Sequence, residues 1–544
     1  MRHINRGVAA AVLVVSLAGA TVACTSDPGG AGPGVEAIVA PGTRVATDAD
    51  GSGVESVQLL VDSAPVVVVA APDDAAQARA ASVALGLRAP MLTAVPGGDD
   101  VLADEISRLG AQRVLRVGHV AFTPDDGEVV DAPGDRSELE ALTGITFSAE
   151  VEVPRGRLDD VTVHQSPDEP SLLTAGEIAA TDAANAPDGA GGAAEPFAPG
   201  EPAWDGDGAP SVLVYDETPL AAIATAVAVG AEVSHLRAPD PRVDGGSVEA
   251  VRDAEAIYAL GPGWGTEDEL EDRVEKARTV PELPGGGQLM FPGRRFVAAY
   301  GSPITPVLGI LGEQGPEESV ARVQRLVEQY QPHSPEPVIP AFEIIGTVAA
   351  TDPGPDGNYT NEWDPQEFVP MVDAITEAGG YAVIDLQPGM ADMLDQAKIF
   401  EELLKRPGVG LALDPEWKLE PGQRPGAQIG SVDAEEINRV THWLADLTRD
   451  SGGPQKLLIL HQFSMAMITN RDQIDTSRPE VAISLHADGH GTPELKMETW
   501  DVLRTGLPSS IWMAWKNFYD EDTPTFTPEQ TMAVQPRPWF VSYQ

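Results

Sequence analysis

The chain carries a single cysteine, Cys24, among 544 residues, so no intramolecular disulfide can brace it. Basic residues are scarce. Lys and Arg number 35 against 84 Asp and Glu, for a formal net charge of −49. That imbalance argues against nucleic acid and anionic lipid surfaces as partners. Aromatic residues make up only 5 % of the chain, so the few near strand ends stand out. Beyond the N-terminus, no apolar run reaches the ~18–20 residues that a membrane-spanning helix needs. What remains is a long acidic chain with room for about two to four domains.

The N-terminus has its own pattern. Arg2 and Arg6 precede an apolar run from Val8 through Leu17 to about Ala20. The run is too short to span a bilayer and fits the h-region of a signal peptide. Thr21-Val22-Ala23-Cys24 then resembles a lipobox, with Thr21 where that pattern prefers Leu. The resemblance implies cleavage before Cys24 and a diacylglycerol on its thiol. The alternative is an ordinary cleaved signal followed by a chance cysteine. A lone thiol in an oxidising compartment is a liability unless modified, which favours the anchor. Residues 1–23 are thus expected to be a leader. Residues 24–54, which open on Thr-Ser-Asp-Pro-Gly-Gly, are expected to be a flexible tether. The protein would be a membrane-anchored lipoprotein facing the cell wall. Its richness in Ala, Gly, Asp, Pro and Val resembles a high-GC actinobacterial proteome.

From Val57 the pattern changes. Val66-Val67-Val68-Val69-Ala70 reads as a buried parallel strand, and Asp73-Asp74 as the cap of a helix over 75–85. A strand at 90–94, a helix at 99–109 and a strand at 113–117 follow. The order recurs in strands at 211–215, 233–236 and 256–261 with helices at 220–229 and 248–253, which suggests duplication. The first copy carries Val68-Val69-Ala70-Ala71-Pro72-Asp73-Asp74, Ala89-Pro90-Met91-Leu92 and Leu109-Gly110-Ala111-Gln112-Arg113-Val114. These stretches resemble the cell-wall-binding repeat of Gram-positive surface proteins. The resemblance covers roughly residues 55–280 and implies a wall-polymer partner. A generic flavodoxin-like α/β region without a wall role is the alternative. Between the copies, residues 122–210 read as an acidic insert, and Thr181–Gly208 as a loop without a core.

The C-terminal part, 290–544, alternates apolar strand runs with helical patterns. Eight strands are expected at 296–300, 338–345, 381–385, 409–414, 456–461, 481–486, 510–515 and 539–543. That count matches a (β/α)8 TIM barrel, with a doubly wound sheet as the alternative. The fold class is therefore α/β: tandem flavodoxin-like or cell-wall-binding-repeat-like units followed by the barrel. Asp385, Asp414, His461 and His486 each end a strand run, where a barrel places its active site.

The sharpest motif is Leu413-Asp414-Pro415-Glu416-Trp417. Residues two apart on a strand share a face, so Asp414 and Glu416 are expected to face the mouth together. Neighbouring carboxyls push their proton affinities apart, leaving one as a general acid. The Asp-x-Glu resembles the fourth strand of barrel-fold lysozymes and chitinases, without the longer acidic string of the chitinases. It implies Glu416 as proton donor and Asp414 as its partner. Asp385, ending the third strand in Ile384-Asp385-Leu386-Gln387-Pro388, is the other carboxylate candidate. Tyr300, Glu343, Gln387, Trp417, His461, Gln462, His486, Trp515 and Tyr519 are candidates for binding the sugar. The partner is then a cell-envelope glycan, and no cofactor is called for. Two other readings stay open. The barrel could hold glycan without cutting it. Alternatively, His461, His486 and His490 with Asp385, Asp414 or Asp488 could bind a metal and make a metal-dependent hydrolase.

Overall fold

The computed structural model describes residues 34–38, 40–124, 127–154, 157–175, 195–204 and 208–544. The segment expected as a leader, Cys24 and most of the loop expected at 181–208 lie outside the described residues.

Two four-stranded parallel sheets come first. Val66–Ala70 lies between Met91–Thr93 and Arg113–Val117, and Glu128–Asp131 adds a fourth strand. In the second sheet Ser211–Tyr215 lies between Glu232–Leu236 and Ala256–Leu260, and Gly42–Ala46 is the fourth strand. The outer strands differ from expectation. Gly42–Ala46 falls in the segment expected as tether, and Glu128–Asp131 in the expected insert. Each is short and partly exposed, and each is ordered by a neighbouring strand rather than by its own pattern. Helix Asp74–Leu87 starts where Asp73 accepts a hydrogen bond from Ala76 N at 2.9 Å, as a cap should. Its alanines pack with helix Leu220–Val229 in one apolar core shared by both sheets. The Met91 amide donates to Thr225 Oγ1 at 3.0 Å across that junction.

The C-terminal strands are β1 (Arg295–Gly301), β2 (Val338–Ala349), β3 (Tyr381–Leu386), β4 (Val409–Leu413), β5 (Lys456–Gln462), β6 (Val481–Ala487), β7 (Trp512–Asn517) and β8 (Phe540–Tyr543). Each pairs in parallel with the next, and β8 pairs with β1, so the barrel closes. A short antiparallel strand, Thr360–Glu362, extends β2 beyond the rim.

Period-two alternation explains both faces of this barrel. Outward residues such as Val297, Phe342, Ile384 and Leu458 pack against the helices. Inward residues form an apolar plug: Phe296 and Ala298, Ala341, Tyr381 and Val383, Ala412, Leu457 and Ile459, Ala482, Ala514 and Phe540. One further step of two along seven of the strands reaches Tyr300, Glu343, Asp385, His461, Ser484, Lys516 and Ser542; a second step on β6 reaches His486, and Asp414 follows directly on the end of β4. An apolar plug thus ends in a polar layer at the C-terminal rim.

Candidate active site at the barrel mouth

Every member of that polar layer is buried, and most touch another member. His461 is the hub. Its Nε2 lies 3.0 Å from Glu343 Oε1 and 3.9 Å from Asp385 Oδ1, and its Nδ1 lies 3.0 Å from Asp488 Oδ2. His486 Nδ1 is 3.6 Å from Glu343 Oε1, and its Nε2 is 3.2 Å from Ser542 Oγ. Tyr300 donates its hydroxyl to Asp385 Oδ2 at 2.9 Å. The Lys516 ammonium sits 3.6 Å from the centre of the Tyr300 ring, a cation–π contact.

The carboxyls do not behave alike. Burial raises Asp414 well above the usual carboxylate range, and the charges of Glu416 and Asp385 add to it. Burial also raises Asp385. Burial would raise Glu343 as well, but the charges and hydrogen bonds of His486 and His461 hold it low. Burial opposes ionisation of Asp488 too, yet its bond to His461 holds it below its ordinary value. Burial disfavours the His461 cation, but Asp385 and Glu343 lift it well above an ordinary histidine. Glu416 stands apart, because it is only half-buried. Burial, then the charge of Asp488, pushes its carboxyl up to about 7.

Above this layer opens a cavity of about 710 Å³. Tyr300, Gln387, Asp414, Glu416, Trp417 and Asp488 form part of its wall, together with Lys516, Phe463, Phe518 and His490. Two loops of the wall are pinned from behind. Lys496, buried, lies 2.9 Å from Asp522 and donates to the carbonyls of Gly489 and Lys516. Asp522 in turn accepts from the amides of Gly491 and Phe518.

Glu416 reaches the wall by a route other than the expected one. β4 ends at Leu413, and Pro415–Trp417 is a 3₁₀ turn, so strand alternation does not govern Asp414 and Glu416. Pro415 has no amide to extend the ladder. The turn still brings both residues to one cavity. Gly430 donates its amide to Glu416 O at 2.7 Å, and a Cβ there would lie 2.2 Å from Lys418 O. Only glycine lets the following loop approach this closely.

Other candidates fall elsewhere. Glu343, Asp385, His461 and His486 lie beneath the cavity and not on its wall. Gln387 is on the wall, with its Oε1 accepting from Ala349 N. Gln462 is occupied by Arg471 and by Ser464 O. Trp515 is a packing residue, 1 % exposed between Trp500 and Phe526. Tyr519 is 43 % exposed and stacks on Tyr543, off the cavity wall. His490 is exposed on the cavity wall against Phe518 and does not join the donor group of His461 and His486. Lys516 and Ser542 were missed, although the same step of two from Ala514 and Phe540 reaches both.

Fold and site define a mixed α/β protein whose closed eight-stranded parallel barrel carries a buried carboxylate–histidine layer under an open cavity. No family model matches the chain, and no curated protein matches it. One solved structure to which it is similar is Cwp6 from Clostridium difficile, at 11 % identity and a TM-score of 0.30. That match covers 58 % of this chain and 64 % of the other, so the chain spans less than two thirds of that structure's length.

Proposed function

We propose that this protein hydrolyses a cell-envelope glycan in the barrel cavity, with Glu416 as the proton donor. The observation that carries the reading is Glu416 itself: a carboxyl on the cavity wall whose proton affinity is matched to neutral pH. Glycoside cleavage needs such an acid and a second, ionised carboxylate. Asp488 fits the second role better than Asp414. It also lines the cavity, and His461 Nδ1 holds it as an acceptor. Glu416 gives its proton to the leaving oxygen, Asp488 faces the positive charge developing on the sugar, and water completes the bond exchange. Asp414 acts as a buried neutral neighbour of Glu416. Asp385 positions Tyr300 through its hydroxyl. Trp417 and Phe518 offer apolar faces for sugar rings.

The location belongs to the same proposal. A leader ending before a lipid-bearing Cys24 would hold the chain at the outer face of a membrane, within reach of wall polymer. The paired parallel sheets, with matching order of their first three strands, support the repeat-like reading of the N-terminal region. Among the described residues no helix is long and apolar enough to cross a membrane.

The test is release of reducing ends from purified wall polysaccharide. Wild type should release them, and Glu416→Gln should release none while still sedimenting with the polymer. Wild-type binding without release would replace hydrolysis with recognition. Neither binding nor release would remove the glycan altogether.

A further inference from the structure

The polar layer beneath the cavity contains more acceptors than its hydrogen bonds use. Glu343 Oε2, Asp385 Oδ1 and His486 Nδ1 are buried atoms with no hydrogen-bond partner. Such atoms are costly to bury and call for an explanation in each case. They lie around Glu343 Oε1 and His461 Nε2.

The distances among these donors follow a pattern. In a tetrahedral site with bonds of about 2.0–2.1 Å to His nitrogen and carboxylate oxygen, adjacent donors lie about 3.3 Å apart. Here His461 Nε2 is 3.0 Å from Glu343 Oε1, His486 Nδ1 is 3.6 Å from the same oxygen, and Asp385 Oδ1 is 3.9 Å from His461 Nε2. The donor atoms of Glu343, His461 and His486 all lie within 4.8 Å of one another.

The outer contacts fit as well. A metal-bound histidine usually has its other ring nitrogen held by an oxygen, which sets its tautomer. Both histidines here meet that condition. Asp488 Oδ2 holds Nδ1 of His461 at 3.0 Å, and Ser542 Oγ holds Nε2 of His486 at 3.2 Å. Asp385 keeps Oδ2 on Tyr300 and leaves Oδ1 free to turn inward.

We propose that Glu343, His461 and His486 ligate a divalent first-row transition ion such as Zn²⁺, with Asp385, which lies outside that trio with its Oδ1 3.9 Å from His461 Nε2, becoming the fourth donor when its carboxyl turns inward. Two nitrogens and two oxygens suit such an ion and disfavour Ca²⁺ or Mg²⁺, which take oxygen shells. Two carboxylates and two neutral imidazoles balance its charge. Because none of the four donors lies on the cavity wall, the shell is closed and the ion braces β2, β3, β5 and β6 under the site. This inference does not rest on the glycan reading, since the ion would sit in the barrel whatever the cavity takes.

A second arrangement, Asp414–His461–Asp488, also brings three donors together. It would use the unpartnered Asp414 Oδ1 and Asp488 Oδ1, but it leaves His486 Nδ1 without a role and takes up Asp488, whose oxygen holds His461 Nδ1. Among the described residues one further group lies far from the barrel, Asp159–Asp216–His235. Both supply controls.

The experiment is elemental analysis of the purified full chain, with thermal unfolding before and after chelation and on addition of Zn²⁺ alone. About one ion per chain is expected, and its removal should lower the unfolding temperature reversibly. His486→Ala and Glu343→Gln should lose the ion. Ser542→Ala and Asp488→Asn should keep it with ~10–100-fold weaker affinity. His235→Ala and Asp414→Asn should leave stoichiometry unchanged. The proposal is overturned if wild type carries no ion and Zn²⁺ leaves its unfolding unmoved. It is equally overturned if loss follows Asp414→Asn or His235→Ala instead of His486→Ala. Should a wild type that neither carries an ion nor responds to Zn²⁺ still release reducing ends through Glu416, the ion would be lost and the glycan reading kept.

Discussion

Replacing Glu416 with Gln tests the electrostatics of the mouth without any substrate. The Glu416 carboxyl is pushed up from 4.5 to about 7, by burial first and then by Asp488, against the pull of Lys516 and His461. Each tenfold change in proton affinity is worth ~1.4 kcal/mol, so the full displacement corresponds to about 3 kcal/mol. Partial exposure reduces it to about 2–3 kcal/mol. The sign follows from which state holds the proton. Below 4.5 both states are protonated and Glu416 costs nothing. Between 4.5 and 7 the unfolded chain ionises while the folded one does not, so wild type loses stability as pH rises. Above 7 the loss is complete. Gln carries no charge at any pH. Relative to wild type, the variant should therefore gain about 2–3 kcal/mol between pH 4.5 and pH 8. Urea unfolding followed by tryptophan fluorescence at several pH values reads this difference directly. A difference between the two proteins that is the same at pH 4.5 and pH 8 would refute the argument.

Three further outcomes follow from packing and geometry. Trp515→Ala should destabilise the barrel by about 3–5 kcal/mol, since the ring is buried between Trp500 and Phe526. Polymer affinity per folded molecule should not change, and a loss in a sedimentation assay would return Trp515 to the binding surface. Tyr300→Phe removes the donor to Asp385 Oδ2 and should cost about 1–3 kcal/mol in the same unfolding assay. Gly430→Ala forces a Cβ toward Lys418 O and Glu416 O, so the turn carrying Glu416 must move. Activity should fall by about 100-fold, as misplacement of a reacting group by ~1 Å does, while circular dichroism stays as in wild type.

Much of the barrel was legible because its strands are apolar on both faces and bounded by turns. The end of each run marked the rim, so Asp385, Asp414, His461 and His486 were placed on the right layer. Depth was not legible. Nothing in His461 or His486 says that the cavity floor lies above them, because that depends on how far the loops after β6 and β7 fold over the mouth. Alternation alone does not bring Glu416 to the cavity wall: it stops at Leu413, and the turn at Pro415 does the placing. Lys516 was passed over because its strand, Trp512–Asn517, reads as aromatic first. Gly42–Ala46 has too little apolar pattern to announce a strand, and gains its place from Ala256–Leu260 beside it and from Glu267, which Thr43 and Arg44 reach.

The claim at the centre of this account is that a protonated Glu416 cleaves a glycosidic bond. The pH profile of reducing-end release from wall polysaccharide tests it most directly. Activity should fall as pH rises through about 7, following loss of the Glu416 proton, and Glu416→Gln should be inactive throughout. A wild-type profile that stays level well above pH 7, or a Glu416→Gln variant that retains activity, would contradict it.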